Sequence, residues 1–357
     1  PLCALNSNRN ISMLATPLIW CIILHACAVS VSVPHLIRHR MSHTVSMPPS
    51  PSPPSTDLWI VGAGYLGQRV VREWMRAYPG SYVVAETRTP SSHKDLEAAG
   101  AHTRLRRDRS LSDHNSAVNV LISIPPYSAS GEHVDYISEV QAALHLLRRH
   151  DNMEGNCGIG MVLLVSTTAV YGNSSSVVTE FSDVDRDPSN SRAARALAAE
   201  DLVLGSSGNS AVVRLAGLYS AERGPHIYWM RSISQTSSAG DEGVGRLSLS
   251  PHSLVNLVHY SDAAAAIVQI FRKGGNGRVY MVSDGSPMSR RDIVEASFAA
   301  LAPGVSVPQF SSKSEHENGG KVCDCRWTRT EIGWVPEFSS FSDFIVQHSD
   351  PSNSSFQ

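Results

Sequence analysis

The 357-residue chain is 42% hydrophobic and 17% charged, with a formal net charge of −2. That composition describes an ordinary globular protein, long enough for one large domain or two modest ones. The near-neutral balance leaves no electrostatic footprint for nucleic acid, and the arginines of "RLRRDRS" (104–110) read as a solvated loop.

No Asp or Glu occurs before Asp57. Within that span Leu14 to Val33 is mostly apolar and contains Ala26-Cys27-Ala28, flanked by Arg9, Arg38 and Arg40. An apolar stretch followed by an acid-free, Ser-rich segment resembles a secretory signal joined to a plastid transit peptide. Initiation at Met41 or Met47 would instead leave a cytoplasmic protein. Pro17 and His25 interrupt the apolar run, so no stable membrane span is expected in the mature chain. Residues 1–56 are thus read as a leader and Pro/Ser linker, and the fold starts near Asp57. Cys3, Cys21 and Cys27 fall in the leader, and the remaining Cys157, Cys323 and Cys325 make no disulfide framework. Cys323-Asp-Cys325 has no second ligand pair at metal-binding spacing, so no metal site is expected.

Asp57 to Val61 ("DLWIV") reads as a short apolar strand, followed by Gly62-Ala63-Gly64-Tyr65-Leu66-Gly67. The next segment places Val70, Val71, Trp74 and Met75 on one helical face and stops at Pro79-Gly80, before a second strand, "SYVVAETR". A G-x-G-x-x-G between a strand and a helix, with a second strand behind it, is a dinucleotide-binding pattern. Gly62 permits the tight turn, Gly64 lets the backbone approach a pyrophosphate, and Gly67 lets the helix pack on the strand. The helix N-terminus then offers free N–H groups to the phosphates. Glu86, nineteen positions after Gly67, suits the ribose 2′-OH of NAD, whereas Thr87 and Arg88 suit the 2′-phosphate of NADP. The balance leans slightly to NADP.

Val118 to Ile124 reads as a further strand, then Ile137, Val140, Leu144 and Leu147 form a helical stripe. Met161 to Val165 and Ala211 to Leu215 are the next strands. Strands alternating with helices predict an α/β fold, a doubly wound parallel sheet over residues 57–216 with a smaller substrate-side region at 217–345 and a disordered tail at 346–357. Its ligand belongs beyond the carboxyl ends of the strands, where "MVLLVSTTAVYG" (161–172) delivers its hydroxyls.

From Asp57 to about Phe344 the chain resembles the extended short-chain dehydrogenase/reductases, the NAD-dependent epimerase/dehydratase family. The resemblance rests on the glycine turn, "STTAVYG", "VVRLAGLYSAERGP" (212–225), "LVNLVHYSDAAAAIVQIF", "VYMVSDGSPMSRRDIVEA" and "EIGWVPEF". It implies an NAD(P) cofactor against Tyr65, Leu66, Ile124, Pro125 and Ser166 besides the glycines. It also implies Tyr219 and Arg223 on the substrate side. Asn256, His259 and Asp262 match a segment in which His259 and Asp262 are expected to fix a loop and a helix start. Ser289 and Asp292 are spaced as a capping box.

Members of this family that oxidise an alcohol or epimerise a sugar use a Tyr-x-x-x-Lys helix with a Ser or Thr from the preceding strand. A tyrosine of pKa ~10 needs a nearby cation to act as a base near neutrality. Here Thr167 takes the Ser/Thr position, but Arg192 and Ala196 stand where the Tyr and Lys are expected. The lysines, Lys94, Lys273, Lys313 and Lys321, never lie four residues after a tyrosine. Arginine is no proton donor at neutral pH, so Arg192 or Arg195 is expected to hold a phosphate, a carboxylate or the cofactor ribose. Thr167 or Thr168 would bind the substrate oxygen, with Tyr171 recruited as proton donor.

Two functions follow: an atypical oxidoreductase or epimerase-like enzyme on a small substrate, anionic or a sugar nucleotide, or a non-catalytic NAD(P)-binding redox sensor. A titratable donor within about 3 Å of a substrate oxygen separates them. A monomer or homodimer is expected.

Overall fold

The structure, a computed structural model, describes residues 57–109, 118–125, 136–151, 159–172, 176–187, 189–206, 208–236, 246–247, 250–310 and 319–349, all within one compact unit. The leader at 1–56, Cys157 and the tail beyond 349 lie outside the described residues.

The first half runs β1 (Asp57–Val61), α1 (Tyr65–Ala77), β2 (Val83–Thr87), α2 (His93–Ala98), β3 (His102–Leu105), β4 (Val118–Ile122), α3 (Tyr136–Asp151), β5 (Ile159–Thr167), β6 (Val177–Val178), α4 (Ser191–Leu204) and β7 (Ser210–Leu215). There follow β8 (Gly217–Tyr219), α5 (Pro225–Thr236), β9 (Arg246–Leu247), β10 (Leu254–Val255), β11 (Leu257–His259), α6 (Tyr260–Lys273) and β12 (Arg278–Val282). The chain ends with β13 (Met288–Ser289), α7 (Arg290–Leu301), β14 (Gln309–Phe310), β15 (Val322–Cys323), α8 (Arg326–Ile332) and α9 (Phe341–Ser349).

Seven strands form one parallel sheet in the order β12-β7-β5-β4-β1-β2-β3. Strand side chains alternate between two buried layers, which is why these runs are apolar throughout rather than half polar. Leu58 and Ile60 face the layer of α1 and α6, while Trp59 and Val61 face that of α3 and α4. Trp74 on α1 meets Phe271 on α6 edge-on at 5.3 Å, locking those two helices over the sheet. The fold is therefore the doubly wound α/β sheet that the alternation of elements predicts. Its order reverses between β1 and β4, which opens a crevice at their carboxyl ends.

A smaller core gathers Tyr219, Trp229, Leu257, Phe298, Phe341 and Phe344 from the later elements. The capping box forms: Ser289 Oγ accepts from the Asp292 backbone N–H at 3.1 Å at the start of α7. Asp262 accepts from the backbone of Glu337 and Phe338 at 2.7 and 3.1 Å, and His259 Nδ1 accepts from Ser261 N–H at 3.3 Å. Both residues hold a loop and a helix start. Helix α9 runs to Ser349, so residues 346–349 are helical where a disordered tail was expected.

Candidate functional site

The glycine turn lies at the crevice. Gly62 has φ +90°, and a Cβ there would lie 2.8 Å from the Ser123 carbonyl oxygen, so no side chain fits between β1 and the segment after β4. Gly62 and Ala63 both donate their N–H to the Glu86 carbonyl, at 3.0 and 2.8 Å, tying the turn to the end of β2. Gly64 faces open space and caps α1 without a side-chain hydrogen bond. The first N–H groups of a 13-residue helix therefore point into an open crevice, the arrangement that accepts a phosphate. Gly67 packs on Ala63, where an added Cβ would sit 3.2 Å away. Ile124 is buried beside Gly62, and Pro125 is exposed at the rim.

The end of β2 differs from expectation. Glu86 is wholly buried, and Arg109 grips its carboxylate through Nε at 2.9 Å and Nη2 at 2.6 Å. Arg104 and Arg106 approach to 4.0 and 3.9 Å, and Arg106 also pairs with Glu139 at 2.9 Å. Glu86 therefore presents no carboxylate to a ribose at the surface. The reading of 104–110 as a solvated loop is likewise corrected for Arg104, Arg106 and Arg109, whose side chains are 10–17% exposed because a buried carboxylate needs cationic partners. Thr87 donates to the Thr89 carbonyl at 2.9 Å and meets His93 Nε2 at 2.6 Å, while Arg88 is exposed.

Beyond the ends of β5 and β7 opens a cleft of about 1260 Å³. Ser166, Thr167 and Thr168 line it, together with Arg192 from the first turn of α4. Thr167 Oγ1 accepts from Ala169 N–H at 3.2 Å, which closes the following turn and leaves the hydroxyl proton for an acceptor in the cleft. Ser166 instead donates to Glu200. Glu200 pairs with Arg214 Nη2 at 2.7 Å, and Arg214 Nη1 donates to the Tyr171 hydroxyl at 2.9 Å.

Tyr171 therefore points inward, 4% exposed, with burial pushing its hydroxyl up to about 12 against the pull of Arg214. It holds the Arg214 network and gives no proton to the cleft, contrary to the role expected of it. Tyr219 is also wholly buried, packed edge-on against His259, Phe341 and Phe344, with burial driving its hydroxyl far above the ordinary range. It belongs to the smaller core and not to the substrate side, because its ring supplies the apolar area that joins β8 to α9. Arg223 lies 4.5 Å over the Tyr65 ring, and Tyr65 shares a hydrogen bond of 3.0 Å with Ser220. Arg223 thus sits at the glycine-turn end of the crevice. Ala196 packs in the inner face of α4 beside Val170 and Tyr171.

The residue that sequence reasoning missed is Lys321. It lines the same cleft as Thr167 and Thr168, and its Nζ donates to the Gly172 carbonyl at 2.6 Å. Tyr260, Asp185, Asn190 and Arg290 also line the cleft unanticipated. A lysine 149 residues from its partner has no local sequence signal. Cys323 and Cys325 are free, buried thiols behind the cleft wall.

The model of the NAD dependent epimerase/dehydratase family matches residues 58–283, more than half of the chain. Among solved structures, a functionally unknown conserved protein from Silicibacter pomeroyi is 21% identical with a TM-score of 0.62, over 82% of this chain and 98% of that one. MoeE5 in complex with UDP-glucose and NAD is 20% identical with a TM-score of 0.62, over 82% and 97%. The UDP-glucose 4-epimerase of Thermotoga maritima with UDP-glucose is 16% identical with a TM-score of 0.62, over 81% and 96%. At these identities the likeness is one of fold. No curated protein matches the chain.

Proposed function

Given that this chain belongs to the NAD dependent epimerase/dehydratase family, we propose that it is an NAD(P)-dependent oxidoreductase or epimerase-like enzyme acting on a small anionic substrate. The observation that carries the reading is the open face of Gly64 at the uncapped start of α1. The α1 N-terminus holds the pyrophosphate, with Arg223 and Tyr65 closing the crevice from the side of β8. Bound there, the cofactor supplies or accepts a hydride. Thr167 orients the substrate oxygen by hydrogen bonding at the end of β5.

Two finer points belong to the proposal. Arg192, Arg290 and Lys321 line the cleft together with Asp185, so the lining side chains are mainly basic, which favours an anion. MoeE5, whose fold is shared, is seen with UDP-glucose and UDP-glucuronic acid, and a nucleotide sugar supplies such a charge. At the end of β2, Arg104, Arg106 and Arg109 gather around Glu86, and this basic cluster favours a 2′-phosphate, hence NADP.

A thermal-shift titration with NADPH, NADP, NADH and NAD on the wild type and Gly64→Trp tests the site. At ten times Kd a dinucleotide stabilises by about 1.4 kcal/mol. The wild type is expected to shift most with NADPH or NADP, and the tryptophan variant, which fills the open face, not at all. No shift with any dinucleotide overturns the proposal. A second reading, a non-catalytic redox sensor, draws on the inward orientation of Tyr171 and Tyr219. Turnover of UDP-glucose or UDP-glucuronic acid, followed as dinucleotide reduction, excludes it.

A further inference from the structure

Segment 319–321 lines the same cleft as Thr167 and Thr168 and reaches it from the far end of the sequence. Its backbone is fixed from two sides. Val322 and Cys323 pair with Val177 and Val178, and Asn256 clamps the segment by donating to the Lys321 carbonyl at 2.8 Å and accepting from Cys323 N–H at 2.8 Å. The Cys323 thiol lies against the Thr168 hydroxyl. Lys321 is thus the side chain that this clamp aims along the cleft rim, where Nζ meets the Gly172 carbonyl.

That bond occupies one of three N–H groups and leaves the others for a ligand. We propose that Lys321 is the proton donor and acceptor of the cleft, exchanging a proton with the substrate oxygen that Thr167 orients. The inference rests on the dinucleotide-dependent reading of the same site. In the reducing direction, a carbonyl carbon that would take a hydride from a bound reduced dinucleotide would gain on its oxygen a proton from the Lys321 ammonium, so C=O would become CH–OH and the lysine would be left as the amine. In the oxidising direction the amine would take the hydroxyl proton, and the hydride leaving carbon would pass to a bound oxidised dinucleotide.

The other polar groups around the cleft are unsuited to this. Arg192 and Arg290 carry guanidinium groups, which bind anions rather than exchange protons. Asp185 is held below the usual carboxylate range by its hydrogen bonds to Asn190 and the Asp187 backbone. Burial pushes the Tyr260 hydroxyl up, away from neutrality. Lys321 moves the other way: burial lowers it below an ordinary lysine, the direction that favours giving up a proton. Behind it, Cys323 is pushed up to about 12 by burial, so the thiol is neutral, and Glu180 faces that thiol.

Reductive ¹³C-methylation of the full chain gives each lysine a dimethylamine resonance, and Lys321→Arg removes and so assigns one of them. Titrated by NMR, Lys321 is expected to lose its proton at lower pH than Lys94, Lys273 and Lys313. With UDP-glucose or UDP-glucuronic acid as probe, Lys321→Arg and Lys321→Met are both expected to slow dinucleotide reduction by about 10²–10⁴-fold with unchanged dinucleotide affinity. Wild-type rates in Lys321→Arg would mean that positive charge alone suffices, which overturns the inference. A chain that binds no dinucleotide sinks the reading of the site; one that binds it while Lys321 titrates with the other lysines sinks only this step.

Discussion

Glu200→Ala is expected to lower the unfolding free energy by about 3–5 kcal/mol, read as a shift of the urea midpoint at constant slope. Glu200 is 2% exposed and Arg214 6% exposed. Removing the carboxylate leaves the guanidinium buried without its counter-charge, and the Tyr171 hydroxyl cannot replace it. Ser166 loses its acceptor in the same step, so its hydroxyl at the cleft is released. Glu200→Gln, which keeps the shape and one acceptor, should cost less. The double variant Glu200→Leu/Arg214→Met should recover much of the loss, because an apolar pair needs no solvation to replace. A loss below about 1 kcal/mol for Glu200→Ala would show that water reaches Arg214 and that the network does not hold the end of β5.

Asp284→Asn is expected to change how stability depends on pH. The carboxylate is 4% exposed, with Oδ1 accepting from Ser286 N–H at 2.9 Å and Oδ2 buried without a partner among the described residues. Burial raises it to about 7, while Ser286 and Arg329 pull the other way. The unfolded chain releases this proton near pH 3.9. Between those values the folded state keeps a proton that the unfolded state has lost, so stability falls as pH rises through the window. The slope is about 1.4 kcal/mol per pH unit. Asparagine has no such proton. The stability of the variant relative to the wild type should therefore climb by about that slope between pH 5 and 6.5 and level off above 7. His226 and His259, pushed down to about 4 and about 3 by burial, act with the opposite sign. Their stabilisation is present above pH 6.5 and fades on acidification, equally in both proteins, so it cancels in the difference. A flat difference across the series would mean that Asp284 is solvated.

Much of the scaffold was legible because its causes are local. The run Asp57–Val61, the spacing of the glycines and the stripe Val70-Val71-Trp74 each fit one element, and together they specify β1, the turn and α1. Ser289 and Asp292 specify the start of α7 in the same way, three residues apart. The hydroxyl-ended strand was legible too, although β5 extends through Thr167 rather than stopping at Val165. Roles assigned by residue type alone fared worse. Glu86 has the spacing of a ribose ligand, but that spacing says nothing of the three arginines gathered by β3 and the turn after it. Tyr171 and Tyr219 have hydroxyls suited to chemistry, yet each ring also offers a large apolar area. Burial of that area in the cores around Arg214 and Phe341 decides where each hydroxyl points.

The sequence by itself therefore determined the parallel sheet, the glycine turn and the strand that carries Thr167, while the order of the strands and its reversal between β1 and β4 came from the tertiary structure. The sheet, the turn and the strand follow from backbone freedom, side-chain periodicity and caps acting within a few residues. Only the tertiary structure decided which distant groups meet: Arg109 on Glu86, Arg214 on Glu200, and Lys321 on the Gly172 carbonyl at the cleft. The Arg214–Glu200 pair joins residues 14 positions apart, and the bond from Lys321 to the Gly172 carbonyl joins residues 149 apart. Pairs of this kind exist because the sheet and its loops bring them into a low-dielectric interior, where an unpaired charge costs more than any local preference can offset.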